Sequence, residues 1–270
     1  MTVLSTVKGF LRQVLSPNAY ERVRACSWYT RVYLPSRAAS TIIRRTPVVY
    51  GPPSDLMDRL HRINLVASTR MCRVMTKHGS DKANRSHNYT TVYAKLFRDL
   101  QDRPIRILEL GIGTTNPQIA CNMGAGGISG ASLRGWREIF PDAHVFGADI
   151  DREILFEDER IQTFYCDQLH CEAIRNLWVQ PALQSGMDII IDDGLHTFPA
   201  NAQFLAESLE NLRPGGFYIV EDIRNTYFGM WQEHLPNLAR QFPGCDFALA
   251  AVENPFNKFD NNLLIIQRRP

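Results

Sequence analysis

No run of 18 apolar residues occurs in the 270-residue chain, so no segment is long enough to cross a bilayer as a helix. The six cysteines (Cys26, Cys72, Cys121, Cys166, Cys171 and Cys245) contain no CxxC pair and show no regular spacing. That argues against a zinc ribbon and against a disulfide-stapled secreted fold, and it makes the cytoplasm the expected compartment. No short apolar leader with a small-residue cleavage site is read at the start, and there is no internal repeat or low-complexity tract. The apolar and charged shares, 44% and 21%, are ordinary for a soluble globular protein. The length suits one α/β domain of about 170 to 200 residues plus an extra segment.

Acidic residues are nearly missing from the first 50 positions. Eight Lys or Arg face a single acid, Glu21, for a net charge of +7; the whole chain carries +2, so the remainder carries −5. A nucleic-acid enzyme would spread basic residues around its site, so no nucleic-acid partner is expected. Val3, Leu4, Val7, Phe10, Leu11, Val14 and Leu15 recur at spacings of three and four, which predicts a helix with one apolar face. Two occupants suit that face: an anionic membrane at the inner face of the cell, touched peripherally, or the catalytic domain or a second subunit of a homo-oligomer.

Proline punctuates the first hundred residues, and the stretch YGPPSD at 50–55 marks a boundary, with Ser54 or Asp55 as N-cap of a helix running towards Lys77. From Ile105 short apolar runs alternate with helical stretches: 105–110, 144–149, 161–165, 187–191 and 216–221. Such alternation implies parallel βαβ units with helices on both faces. The last two runs, 246–252 and 261–267, are too close for a parallel crossover and predict an antiparallel hairpin. The expected fold is therefore α/β: a doubly wound, mostly parallel seven-stranded sheet with a C-terminal antiparallel hairpin. Residues 1–53 read as a basic helical extension, 54–100 as a helical segment leading into the core, and 101–270 as the cofactor-binding domain.

The segment ILELGIGTTNP, 107–117, puts Glu109, Gly111 and Gly113 at the carboxyl end of the first parallel strand, where doubly wound sheets bind ligands and glycine lets backbone approach closely. A dinucleotide fingerprint would need a third glycine where Asn116 stands and a helix beginning at once. Instead a long loop, 114–130, intervenes. With the terminal hairpin, this resembles the class I methyltransferases that use S-adenosylmethionine. The resemblance implies that an acid after the second strand, Asp149 (Asp151 as second choice), binds the ribose, and that Asp167 after the third approaches the adenine.

DIIIDDGLH, 188–196, and VEDI, 220–223, end the fourth and fifth strands, so Asp192, Asp193, Glu221 and Asp222 converge at tips roughly 5 Å apart. Adjacent carboxylates need a cation, and an all-oxygen set suits Mg²⁺ or another hard divalent ion. His196 lies within reach as general base. Together with HGSDKANRSHNYTTVY, 78–93, these segments resemble the magnesium-dependent sugar O-methyltransferases of macrolide tailoring. Ser80 stands where that group has threonine. The resemblance implies Asp193, Glu221 and Asp222 as metal ligands, His196 as base, and Asp192, Lys82 and Tyr89 among the cofactor contacts. It covers residues 78–267 and implies methylation of a hydroxyl on a sugar, a glycosylated small molecule or a glycolipid. The alternatives are a metal-independent small-molecule methyltransferase, a cephalosporin-hydroxylase-like protein, or a cofactor-binding scaffold of the same fold.

Overall fold

The computed structural model describes residues 44–83 and 86–270. The apolar face expected at residues 3–15 lies outside them. Among the described residues nine strands form one sheet: β1 (Val48–Tyr50), β2 (Arg106–Leu110), β3 (His144–Asp149), β4 (Glu157–Asp158), β5 (Ile161–Tyr165), β6 (Met187–Asp192), β7 (Leu212–Val220), β8 (Cys245–Ala251) and β9 (Asn262–Arg268). Their spatial order is β1-β8-β9-β7-β6-β2-β3-β5-β4. The five strands β5-β3-β2-β6-β7 pair in parallel, β9 runs antiparallel to β7, and β8 antiparallel to β9.

The strand count is nine rather than the expected seven because a short antiparallel strand is added at each edge, β1 on β8 and β4 on β5. β1 falls in a stretch read from the sequence as helical. Val48, Val49 and Tyr50 are β-branched or aromatic, and Pro47 before them and Gly51-Pro52-Pro53 after them stop a helix from passing.

Side chains alternate across the sheet with the two-residue period of a strand. Ile107, Ile189, Ile191, Phe217 and Ile219 face one core, together with α1 (Asp55–His61), α2 (Arg70–His78), α3 (Tyr89–Leu96) and α4 (Ala131–Ile139). Leu108, Leu110, Ile190, Tyr218 and Val220 face the other, under α5 (Cys171–Trp178), α6 (Phe198–Ser208) and α7 (Asn225–Gln241). Both faces are thus covered, and the central strands are mostly apolar, with Glu109 in β2 and Asp188 and Asp192 in β6 as the acidic exceptions.

The helix expected from Ser54 to Lys77 is two helices. Ser54 Oγ caps α1 by accepting from the Met57 N–H at 3.4 Å, and Thr69 Oγ1 caps α2 by accepting from Cys72 at 3.2 Å. Between them the Leu65 N–H donates to the Arg45 carbonyl at 2.7 Å, a bond that continuous helix would preclude. Gly79, in the left-handed region at φ 83°, ends α2. Segment 54–100 packs as a helical layer against the sheet. Its Tyr93 and Phe97 rings stack at 5.1 Å, and Tyr93 meets Trp136 of α4 at 5.8 Å. This packing carries Lys82 and Tyr89 to the carboxyl ends of the strands.

Candidate active site

The connections leave β2 for β3 on one side, while β6 lies on its other side, so the sheet parts at the β2/β6 tips as doubly wound sheets do. A cleft of about 500 Å³ opens there, lined from β2 by Glu109 to Thr114, from β3 by Asp149 and Ile150, from β5 by Cys166 to Leu169, and from β6 by Asp193 to His196.

Gly111 is required by the protein itself rather than by a ligand. At φ 85° a Cβ would lie 2.0 Å from the Asp193 carbonyl oxygen, so the β2 and β6 tips approach closer than any side chain permits. Gly113, at φ 87°, instead abuts the flexible end of Met123 from the loop that roofs the cleft.

Two acids expected at a cofactor lie in the cleft with backbone work already assigned. Asp149 accepts from the Ile112 N–H at 2.9 Å and the Asp151 N–H at 2.9 Å, tying β3 to the glycine turn; burial pushes its carboxyl up. Asp167 accepts from the Leu169 N–H at 2.9 Å and pairs with His170 at 2.8 Å. Asp151, the second choice, caps a short turn by accepting from the Glu153 N–H at 3.0 Å and also binds Thr114.

Glu109 is wholly buried beneath the cleft and accepts from Ser132 Oγ and Trp136 Nε1, both at 2.6 Å. Burial raises its pKa despite Lys82 at 3.4 Å. Sequence reading missed these two donors, although their spacing of four on α4 was the signal that both face one way.

Asp192, expected among the cofactor contacts, is not among the residues that line the cleft. It is the last residue of β6, points under the floor, and accepts from Gln168 Nε2 at 2.8 and 2.9 Å and from Asn201 Nδ2 at 3.0 Å. Burial pushes it up to about 6. Tyr89, also expected at the cofactor, addresses an acid. Its hydroxyl lies 2.9 Å from Asp222 Oδ1 and accepts from the Asp222 N–H at 3.2 Å, so it holds that acid in place. One turn on, Tyr93 donates to Glu221. The two tyrosines, four residues apart on α3, thus address the two consecutive acids after β7.

Lys82 is 2% exposed and reaches three carboxylates: Glu221, Asp193 at 2.5 Å and Glu109 at 3.4 Å. Burial alone would lower its amine, but those acids hold it well above its ordinary value. Burial would raise Asp193, yet Lys82 and His196 hold it below the usual carboxylate range. Glu221, buried beside Asp193 and Glu109, is raised well above that range even with Lys82 in contact.

Among the described residues Asp193, His196 and Asp222 present ligand atoms all within 4.8 Å of one another. His196 Nε2 lies 3.2 Å from Asp193 Oδ1, and its Nδ1 lies 3.7 Å from Asp222 Oδ2. Burial would lower the imidazole, but Asp222 and Asp193 raise it well above 6.5. Glu221, expected in this set, is turned to Lys82 and Tyr93 by donors on the helical layer. His196 and Asp222 both occupy the left-handed region, φ 56° and 52°, uncommon for residues other than glycine although Asp and His enter it more readily than most.

No protein-family model matches the chain. It is 30% identical over 190 residues to 8-demethyl-8-alpha-L-rhamnosyl tetracenomycin-C 2'-O-methyltransferase of Streptomyces olivaceus, covering 69% of this chain and 47% of that protein. It is 33% identical over 157 residues to the 8-demethyl-8-(2-methoxy-alpha-L-rhamnosyl)-tetracenomycin-C 3'-O-methyltransferase of the same organism, covering 57% and 37%. The chain therefore spans less than half the length of these curated relatives. Among solved structures it is similar to the MycE methyltransferase from the mycinamycin biosynthetic pathway in complex with Mg, SAH and mycinamycin VI, with a TM-score of 0.56, 22% identity, and coverage of 75% of this chain and 54% of that one. The fold is that of the class I methyltransferases, and the resemblance to sugar O-methyltransferases carried by the motifs holds in the chain's curated relatives.

Proposed function

We propose that this protein is an S-adenosylmethionine-dependent, metal-assisted O-methyltransferase acting on a hydroxyl of a sugar or glycosylated small molecule. The observation that carries the reading is the meeting of Asp193, His196 and Asp222 at one end of a cleft whose other walls are Gly111, Asp149 and Asp167. The relatives named above methylate hydroxyls of rhamnosyl groups, which supports the acceptor class.

The residues fit a hard divalent cation. Glu109, Asp193, Glu221 and Asp222 crowd one region, and the Lys82 ammonium already bridges Asp193 and Glu221, marking where positive charge is needed. Such a cation takes oxygen ligands, so we assign Asp193 and Asp222 to hold it, with Glu221 as third ligand once it gives up its contact with Lys82, and leave His196 as base. When bound, the cation lowers the pKa of an acceptor hydroxyl, as it lowers that of water from 15.7 towards about 7, and S-adenosylmethionine supplies a methyl group already activated on sulfur. With a cation on Asp193 and Asp222 offsetting the two carboxylates that hold the His196 imidazole charged, neutral His196 takes the hydroxyl proton as the oxygen gains the methyl and S-adenosylhomocysteine leaves. Tyr89 and Tyr93 keep the two acids in place. In the same reading residues 101–270 bind the cofactor, 54–100 lead into the core and complete the site, and 1–53 are a basic extension, with Val48–Tyr50 at the sheet edge, that suits an anionic surface and packing on the catalytic domain or a second subunit equally.

Purified protein is incubated with methyl-labelled S-adenosylmethionine, Mg²⁺ and a panel of deoxysugar glycosides. Label in an acceptor, lost on EDTA treatment and restored by Mg²⁺, supports the reading. Undiminished transfer after exhaustive EDTA rules out the metal role, and binding of NAD in place of the cofactor overturns the whole. His196→Asn separates base from ligand: a base costs about 10²- to 10⁴-fold in kcat while Mg²⁺ affinity by calorimetry changes little.

A further inference from the structure

The turn that carries His196 is fastened from a neighbouring strand end. Gln168 follows β5 between Asp167 and Leu169 of the cleft lining, yet it is only 6% exposed and its amide reaches the tip of β6. Its Nε2 donates to both oxygens of Asp192 at 2.8 and 2.9 Å, and its Oε1 accepts from the Leu195 N–H at 2.8 Å. Its carbonyl accepts from Gln203 Nε2 of α6 at 2.9 Å, so the strut itself stands on a fixed base. One amide orientation satisfies every partner, because a carboxylate needs the amide hydrogens and a backbone N–H needs the oxygen.

The backbone of the turn depends on this amide. The Asp193 N–H donates to the Leu110 carbonyl at 2.9 Å, and the Gly194 N–H to Asp192 Oδ1 at 3.3 Å. Of three consecutive N–H groups, that of Leu195 is therefore held by Gln168 directly and that of Gly194 through Asp192. Gly194 lies so close over the amide that a Cβ there would be 2.4 Å from Oε1. Asp193 and His196, which meet Asp222 in the cleft, both extend from this turn.

We propose that Gln168 is a positioning residue for methyl transfer. Without touching the reacting atoms, it sets the Asp193–His196 turn from the wall assigned to the cofactor, and so places the base and one metal ligand together. This role rests on the O-methyltransferase reading above. A displacement of about 1 Å at a reacting group costs about 10²-fold in rate, which is the scale expected when the turn is released.

Full-length Gln168→Ala, Gln168→Glu and the double variant Gln168→Glu with Asp192→Asn are compared with the native protein. The measurements are transfer kinetics with the glycoside that accepts label, S-adenosylhomocysteine calorimetry, and hydrogen exchange of the metal-free protein. Each single substitution should lower kcat about 10²-fold, with acceptor KM and S-adenosylhomocysteine affinity little changed. Exchange should quicken in a peptide spanning 193–197 and not in β2 or β3. Gln168→Glu sets two carboxylates against each other, whereas the double variant restores the hydrogen bond with donor and acceptor exchanged and should regain at least about tenfold in kcat. Native kcat in Gln168→Ala, a loss confined to S-adenosylhomocysteine affinity, faster exchange throughout the sheet, or no recovery in the folded double variant overturns the assignment. Absence of transfer by the native protein overturns the methyltransferase reading instead, and exchange at 193–197, which needs no substrate, still decides whether Gln168 sets the turn.

Discussion

Replacing Gly111 with alanine tests whether the close approach of β2 to β6 builds the acidic site. The backbone at φ 85° costs a residue with a Cβ about 1–2 kcal/mol. The new Cβ would also sit 2.0 Å from the Asp193 carbonyl oxygen and 2.6 Å from its carbon, atoms of a strand end that cannot swing aside as a side chain can. Overpacking of that kind costs a further ~1–3 kcal/mol, so the sum is about 2–5 kcal/mol. At roughly 2–4 °C per kcal/mol for domains of 150–250 residues, Tm should fall by about 4–20 °C. Relief of the clash moves Asp193 itself by about 1 Å, and a displacement of that size at a reacting centre costs about 10²-fold in rate. Gly113→Ala is the control. It has nearly the same φ, 87°, but its Cβ meets the Met123 side-chain end at 2.3 Å, which can rotate away, so only the conformational cost of about 1–2 kcal/mol applies. Differential scanning calorimetry and Mg²⁺ titration decide the matter. Equal losses of metal affinity in the two variants, or an unchanged Tm in Gly111→Ala, would refute the reasoning.

Tyr89→Phe removes the hydroxyl that holds Asp222 and should weaken Mg²⁺ binding about 10- to 100-fold, as loss of a ligand's supporting hydrogen bond does; an unchanged titration would show that Asp222 is held without it. Lys82→Met leaves Glu109, Asp193 and Glu221 without their buried cation, so urea unfolding should show a loss of about 3–5 kcal/mol, and Mg²⁺ should recover more stability in the variant than in the native protein. Cys121, exposed at the cleft, should react with a thiol reagent at pH 8 and be protected by S-adenosylhomocysteine. Cys166, buried and pushed up to about 12, should stay unmodified in the folded protein, and labelling at Cys166 before unfolding would contradict its burial.

The order of strands, the glycine turn and the acids at the strand tips were legible in the sequence because each is a local pattern: apolar runs of strand length, a glycine pair after one of them, and carboxylates where the others end. The sequence likewise carried the N-cap at Ser54 and the breaks made by proline. It did not show that Val48–Tyr50 would become an edge strand, because three residues form a strand only when a partner such as β8 offers its free edge. Nor could it sort the acids by role. Asp192 and Asp193 are neighbours, yet the two-residue period of β6 and the tip beyond it send the first to Gln168 and Asn201 under the floor and the second to Lys82 and His196 in the cleft. Glu221 and Asp222 are likewise parted by donors more than 120 positions away, Tyr93 and Tyr89. Which carboxylate faces a donor and which faces the cleft depends on side chains from a helical layer that packs only once the sheet exists, and that was decided by tertiary structure alone.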